Sequence, residues 1–221
     1  MKIIQGNKAE ITKQTAEYIK AFVAEKPDAA IGFAFDECLS EVYAELKDAD
    51  LSGVKAFSVC EYVGSDKNAA ELNEKLYSKC GIVNIHKPSE TEPEKYDDEI
   101  AECGGLDLVV LGIGLNGHIG FNEPATPFDT KTHVQLLTDS TKKMKAEAFG
   151  GFESVPANGV TMGLKTICNA KNVILAAFGE DRAAIVHKLV YGRTETYVPA
   201  AMLQLHFNML LYLDDAAAAK L

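Results

Sequence analysis

Residues 106–113 read LDLVVLGI, and residues 172–178 read NVILAAF. Neither run alternates apolar with polar residues, so a strand made from either is buried on both faces, as the central strands of a parallel sheet are. Working outward from these two, further apolar runs at 29–35, 54–59, 81–85 and 208–213 read as strands. Helical patterns fall between them. Leu39, Val42, Tyr43 and Leu46 form an i, i+3, i+4, i+7 stripe, and residues 68–79, 90–103, 140–149 and 181–191 read similarly. This alternation is the rhythm of βαβ units. It predicts an α/β fold: one domain over residues 1–221, a doubly wound, mostly parallel, Rossmann-like sheet with helices on both faces.

The composition fits a folded domain, with 47% apolar and 24% charged residues. Twenty-two basic residues against 32 acidic ones give a net charge of −10. Nonspecific attraction to nucleic acid or an anionic membrane is therefore disfavoured. No run approaches the roughly 18 apolar residues of a membrane span, and the N-terminus MKIIQGNKAEITKQ has no leader-like apolar core, so a cytoplasmic location is expected. Five scattered cysteines, Cys38, Cys60, Cys80, Cys103 and Cys168, contain no C-x-x-C pair and read as free thiols, with no zinc site. The acidic stretch KPSETEPEKYDDE at 87–99 joins a strand to the next helix, and the closing DDAAAAKL reads as a helical or frayed tail.

Directly after the 106–113 strand comes GIGLNGHIGFNEP, residues 112–124. Ligands of open α/β sheets bind outside the carboxyl ends of the strands, where this segment falls. Gly112, Gly114, Gly117 and Gly120 permit close backbone approach. His118 is a candidate acid or base near neutral pH, with Glu123 placed to orient it or to move protons itself. The same residues also suit a plain tight turn at Asn116-Gly117 with a structural histidine.

GLNGHIGFNEP resembles the signature of the glucosamine-6-phosphate deaminase (isomerase) family. EYVG at 61–64 resembles that family's second motif, and VTMGLKTI at 160–167 and LQLH at 203–206 keep its order along nearly the whole chain. The related 6-phosphogluconolactonases share the fold but differ after the histidine. The resemblance implies ring opening of a sugar phosphate, proton transfer from C2 to C1, and loss of ammonia to leave fructose 6-phosphate. No metal or redox cofactor is implied. The partner is a small-molecule sugar or sugar phosphate, and a homo-oligomer is compatible with it. By motif position, His118 opens the ring with support from Glu123 and Asn116, and Cys60 stands at the C2 base. Glu61, Gly117, Arg182, His206 and Asp36 fall at substrate-binding positions.

Three departures qualify that expectation. Cys60 replaces the aspartate of the family's DEYVG; a free thiol is only about 3% ionised at pH 7, a handicap of about 2 kcal/mol. Asn116 replaces an aspartate two residues before the histidine, so an amide orients the imidazole without a full charge. The family's Gly/Thr/Ser-rich phosphate turn is here FDECL at 35–39, where Asp36 and Glu37 would repel a dianion, although they suit a helix N-terminus. Arg182 in GEDRA stands where a phosphate-binding lysine is expected. Glu147 falls where a lid arginine is expected, and Lys142, Lys143 and Lys145 read as a solvated helix face. Altered substrate or reduced activity follows for an enzyme; a sugar-binding or regulatory homologue without turnover is the alternative, and a lactonase-like hydrolase a distant third. Tyr62 reads as core, and His86, His133 and His187 as structural or exposed.

Overall fold

The computed structural model describes residues 1–221. Its main sheet has seven strands, all paired in parallel: β1 (Lys2–Gly6), β2 (Ala30–Phe33), β3 (Lys55–Ser58), β5 (Asn84–His86), β6 (Leu108–Gly112), β9 (Val173–Ala177) and β10 (Met209–Asp214). They lie in the order β1-β10-β9-β6-β2-β3-β5. The expected α/β class and doubly wound parallel sheet are therefore observed. β6 and β9 are buried at every position, as their unbroken apolar runs require.

A second, three-stranded antiparallel sheet sits beside the first, formed by β4 (Cys60–Tyr62), β8 (Asn158–Thr161) and β7 (His133–Leu136). The sequence pattern assigns none of these three. β7 alternates half-buried with exposed residues and β4 has only three, so neither carries a long apolar run. Tyr62 packs against Phe121 and Phe149 at ring-centroid distances of 4.8 Å, forming a small core between this sheet and the segment after β6.

Helices α1 (Lys8–Glu25), α2 (Glu37–Glu45), α3 (Lys67–Leu72), α4 (Lys95–Glu102), α5 (Asp139–Lys145), α6 (Leu164–Cys168) and α7 (Ala183–Tyr191) complete the layers. The 18-residue α1 is not evident from apolar spacing because two threonines, Thr12 and Thr15, occupy its buried face beside Ile11, Ile19 and Val23. α3 runs into a wider π turn over Asn73–Tyr77, filling the predicted helix at 68–79. Three boundaries move. The strand expected at 81–85 begins only at Asn84, because Gly81 takes φ +71° and Ile82 bonds back to Tyr77 O. The helix expected from residue 90 begins at Lys95, after turns through the Pro-containing acidic stretch. The helix expected over 140–149 stops at Lys145 and gives way to a tighter turn over Glu147–Phe149. The C-terminal tail is neither helical nor frayed: Ala217 and Ala218 are buried, Ala217 N–H donates to Asp214 at 2.7 Å, and Lys220 O pairs with His187 Nδ1 at 2.7 Å.

No helix is long and apolar enough to cross a membrane. The decisive topological point lies between β2 and β6. After β2 the sheet is extended one way through β3 and β5; after β6 it is extended the other way through β9 and β10. At such a switch the loops leaving neighbouring strands diverge and leave a crevice at their carboxyl ends.

Candidate active site

That crevice is lined by residues at the ends of three strands: Ala34, Phe35 and Asp36 after β2, Cys60 and Tyr62 after β3, and Gly112 at the end of β6 with Gly114 and His118 after it. Asn68 and Lys145 close its sides, and its empty space is about 390 Å³ including the mouth.

The segment after β6 turns back sharply. Gly114 N–H donates to His118 O at 2.9 Å, and Gly117 N–H to Gly114 O at 2.9 Å, with Gly117 at φ +87°. The turn lays the His118 ring flat on Gly114, where any Cβ would overlap the imidazole. Gly117 serves this turn and does not line the crevice; a side chain there would press on Val198 and Ile185.

His118 is 7% exposed and tied to its neighbours through Nδ1. Asn116 Oδ1 lies 2.8 Å from Nδ1 and also accepts from His118 N–H at 3.1 Å, while Asn116 Nδ2 donates to Glu123 Oε2 at 2.9 Å. The Glu123 carboxylate thus fixes which way the amide faces, and the amide in turn requires the proton on Nδ1. Thr141 Oγ1 sits 3.2 Å from the same Nδ1. Nε2 has no protein partner and is the nitrogen left for a ligand. Glu123, 1% exposed, also accepts from Thr138 N–H and Thr138 Oγ1, both at 3.1 Å. Burial holds the His118 pKa below its ordinary value, against the pull of Glu123 with its Oε2 3.9 Å from Nδ1. The imidazole is therefore neutral near pH 7, with an acceptor lone pair on Nε2.

Cys60 lines the same crevice as a buried free thiol, and Asn68 Nδ2 donates to its Sγ at 3.5 Å. Burial pushes this thiol far above its usual pKa, with Glu61 adding to the rise and Lys145 and Asn68 opposing it. The ionised base that proton abstraction needs is therefore absent at this position.

Asp36 is the N-cap of α2, its Oδ1 accepting from Cys38 N–H at 3.0 Å. Burial opposes its ionisation, but Lys145, Arg182 and the Cys38 N–H outweigh it, and the carboxyl lies below its usual range. Arg182 Nη2 is 3.6 Å from Asp36 Oδ1, while its Nε donates to Ile113 O and its Nη1 to Phe178 O, both at 3.3 Å, and to Asp181. The expected phosphate-binding cation is thus spent on the protein itself.

Two further sequence assignments are corrected. Glu61 faces away from the crevice and accepts from Tyr62, Asn68 and Ala69 N–H groups at 2.7–3.0 Å, holding the turn into α3. His206 is at the opposite end of the sheet, where its Nε2 pairs with Ala170 O at 2.8 Å and its Nδ1 accepts from Asn208 N–H, just before β9 and β10 begin. Both of its nitrogens serve the backbone. Lys145, in turn, is no member of a solvated face: it reaches the crevice beside Asp36, Cys60 and His118. Lys142 instead covers the Phe152 ring at 4.3 Å, and Glu147 is exposed away from the crevice. Thr138, Thr141 and Asn68 carry no motif; only the T-x-x-T spacing of an N-cap at Thr138 marks the first two. No group of three His, Cys, Asp or Glu side chains is arranged to hold a metal ion.

The family model of glucosamine-6-phosphate isomerases/6-phosphogluconolactonase matches residues 7–211. The glucosamine-6-phosphate deaminase of Clostridium novyi is 37% identical, with 96% of each chain covered. That of Listeria monocytogenes is also 37% identical, with 99% of each covered. Among solved structures, a monomeric glucosamine-6-phosphate deaminase superposes with a TM-score of 0.94 at 28% identity over 100% of both chains. The 6-phosphogluconolactonase of Trypanosoma brucei has a TM-score of 0.79 at 18% identity, covering 100% of this chain and 98% of its own, and shares the fold. With the crevice at the β2/β6 switch and the GHIGFNEP segment forming its wall, the chain belongs to the family of glucosamine-6-phosphate isomerases and 6-phosphogluconolactonases.

Proposed function

We propose that the protein is an aldose isomerase of the deaminase type, acting on an amino sugar other than glucosamine 6-phosphate and turning that compound over slowly. The observation that carries this reading is the His118 arrangement: Nδ1–H held by Asn116, Asn116 held by Glu123, and Nε2 free toward the crevice. A neutral imidazole so placed can take the proton of an anomeric hydroxyl on Nε2. It then returns the proton to the ring oxygen as the C1–O5 bond breaks, leaving the open aldehyde. The passing imidazolium is stabilised by Glu123, whose carboxylate acts through the intervening amide. Relatives at 33–37% identity named glucosamine-6-phosphate deaminase support the reaction class.

The subsequent C2 proton transfer lacks an ionised base at Cys60, which is the reason for expecting slow turnover. The same thiol favours a second reading, a sugar-binding protein without turnover. Incubation of the purified protein with glucosamine, glucosamine 6-phosphate and other amino sugars, assayed for ammonia and ketose, separates the two. Release that disappears in His118→Ala supports the enzyme. Saturable sugar binding by calorimetry with no release from any compound overturns it in favour of the binding protein.

A further inference from the structure

We infer that the Asp36–Arg182 pair stands in for the anionic end of a ligand inside the protein, so that the crevice selects aldoses that carry no phosphate. The inference rests on the aldose reading of the site. Asp36 caps α2 at the end of β2, where the helix N-terminus would otherwise meet an anion, and it does so from inside the crevice wall. Its side chain fills that corner: a Cβ on Gly112 of β6 would already sit 2.9 Å from the Asp36 Cβ. Arg182, behind it, contacts protein groups, namely Asp36, Ile113 O, Phe178 O and Asp181. Both side chains are nearly buried, 13% exposed for Asp36 and 12% for Arg182. A phosphate dianion entering here would displace a formed ion pair and meet the Asp36 carboxylate, with Lys145 as the one crevice cation not tied to a protein group.

What the crevice does offer is suited to hydroxyl groups. Asp36 accepts and Lys145 donates, while Asn68 and His118 Nε2 supply further neutral partners. A neutral ring or an amino sugar fits that set; a 6-phosphate would find the helix N-terminus already taken by Asp36 and Arg182 already paired.

The test uses inorganic phosphate as the anion probe and glucosamine with glucosamine 6-phosphate as the sugar pair. In Asp36→Ser the serine hydroxyl keeps the helix cap while the carboxylate is removed and Arg182 is released; Asp36→Asn does the same with an amide. Calorimetry is expected to detect no phosphate binding to the wild type, binding to both variants, and loss of that binding in Asp36→Ser/Arg182→Ala. The kcat/KM for glucosamine is expected to exceed that for its 6-phosphate by roughly tenfold or more in the wild type, with the order reversed in Asp36→Ser. Phosphate binding to the wild type, or its absence from both single variants, overturns the inference. If neither these two sugars nor any other amino sugar is turned over, the enzyme reading fails, and the phosphate titrations still decide the role of Asp36 and Arg182.

Discussion

On the β6 side of the crevice, Asn116 and Thr141 hold His118, Glu123 and Thr138 hold Asn116 in turn, and one ring nitrogen is left unused. On the β2 side, Asp36 and Arg182 are paired with each other and bonded to Cys38 N–H and to two main-chain carbonyls, so that neither charge of the pair is free for a ligand. Both walls are polar, nearly buried and built around a carboxylate. They differ in where the unsatisfied valence lies, and that is what separates a reactive wall from a closed one. A charged residue at a strand end is therefore no evidence of ligand binding until its hydrogen bonds have been accounted for.

The comparison is broken most directly by His118→Ala. If the β6 wall is the reactive one, turnover falls by roughly a thousandfold with the circular dichroism spectrum unchanged; an unchanged rate would place the chemistry elsewhere. Next in size is Glu123→Gln. The carboxylate accepts from an amide and twice from Thr138, and an amide there turns donors toward donors in a buried position. A loss of about 3 kcal/mol is expected, read as a fall in Tm of roughly 10 °C.

A smaller effect sharpens the contrast from the side of the missing base. Cys60→Asp places a carboxylate against Asn68 and near Lys145, and is expected to raise ketose release by roughly tenfold or more. Cys60→Ser should leave the rate within about twofold, since a buried neutral thiol and a hydroxyl are equally poor bases. A rate that falls sharply in Cys60→Ser would return the thiol to the mechanism.

The smallest expected effect is on stability in mild acid. His118 has a folded pKa below its unfolded value of about 6.5, so the unfolded chain takes up the proton first as pH falls. Its contribution is present above pH 6.5 and is lost as pH falls from there toward the folded pKa. His118→Gln should flatten the urea midpoint between pH 7 and 5 relative to the wild type; parallel curves would show that the imidazole is not held neutral by burial.

The sheet was legible where burial on both faces left unbroken apolar runs, as in β6 and β9. β1 was not: KIIQG lies at the sheet edge with three exposed residues, and an edge strand needs no apolar face of its own. At the site, His118, Asn116 and Glu123 could be found because one turn brings them together in eight residues. Thr138, Thr141 and Lys145 could not, because only the return of the chain through β7 carries α5 to the crevice. Asp36 was visible as a helix cap, but its pairing with Arg182 joins residues 146 positions apart and has no local signature. His206 was misplaced for the opposite reason: a motif match says nothing about which end of a parallel strand a residue occupies.

Thr138 does two jobs at once. Its hydroxyl caps α5, accepting from Thr141 N–H at 3.3 Å, and both its N–H and its hydroxyl donate to Glu123. Displacing the start of α5 would strip Glu123 of two of its three donors and take Thr141 from the imidazole together. The cap of α5 and the support of the acid–base group are thus one hydrogen-bonded unit, so the order of the helix start and the order of the site are coupled.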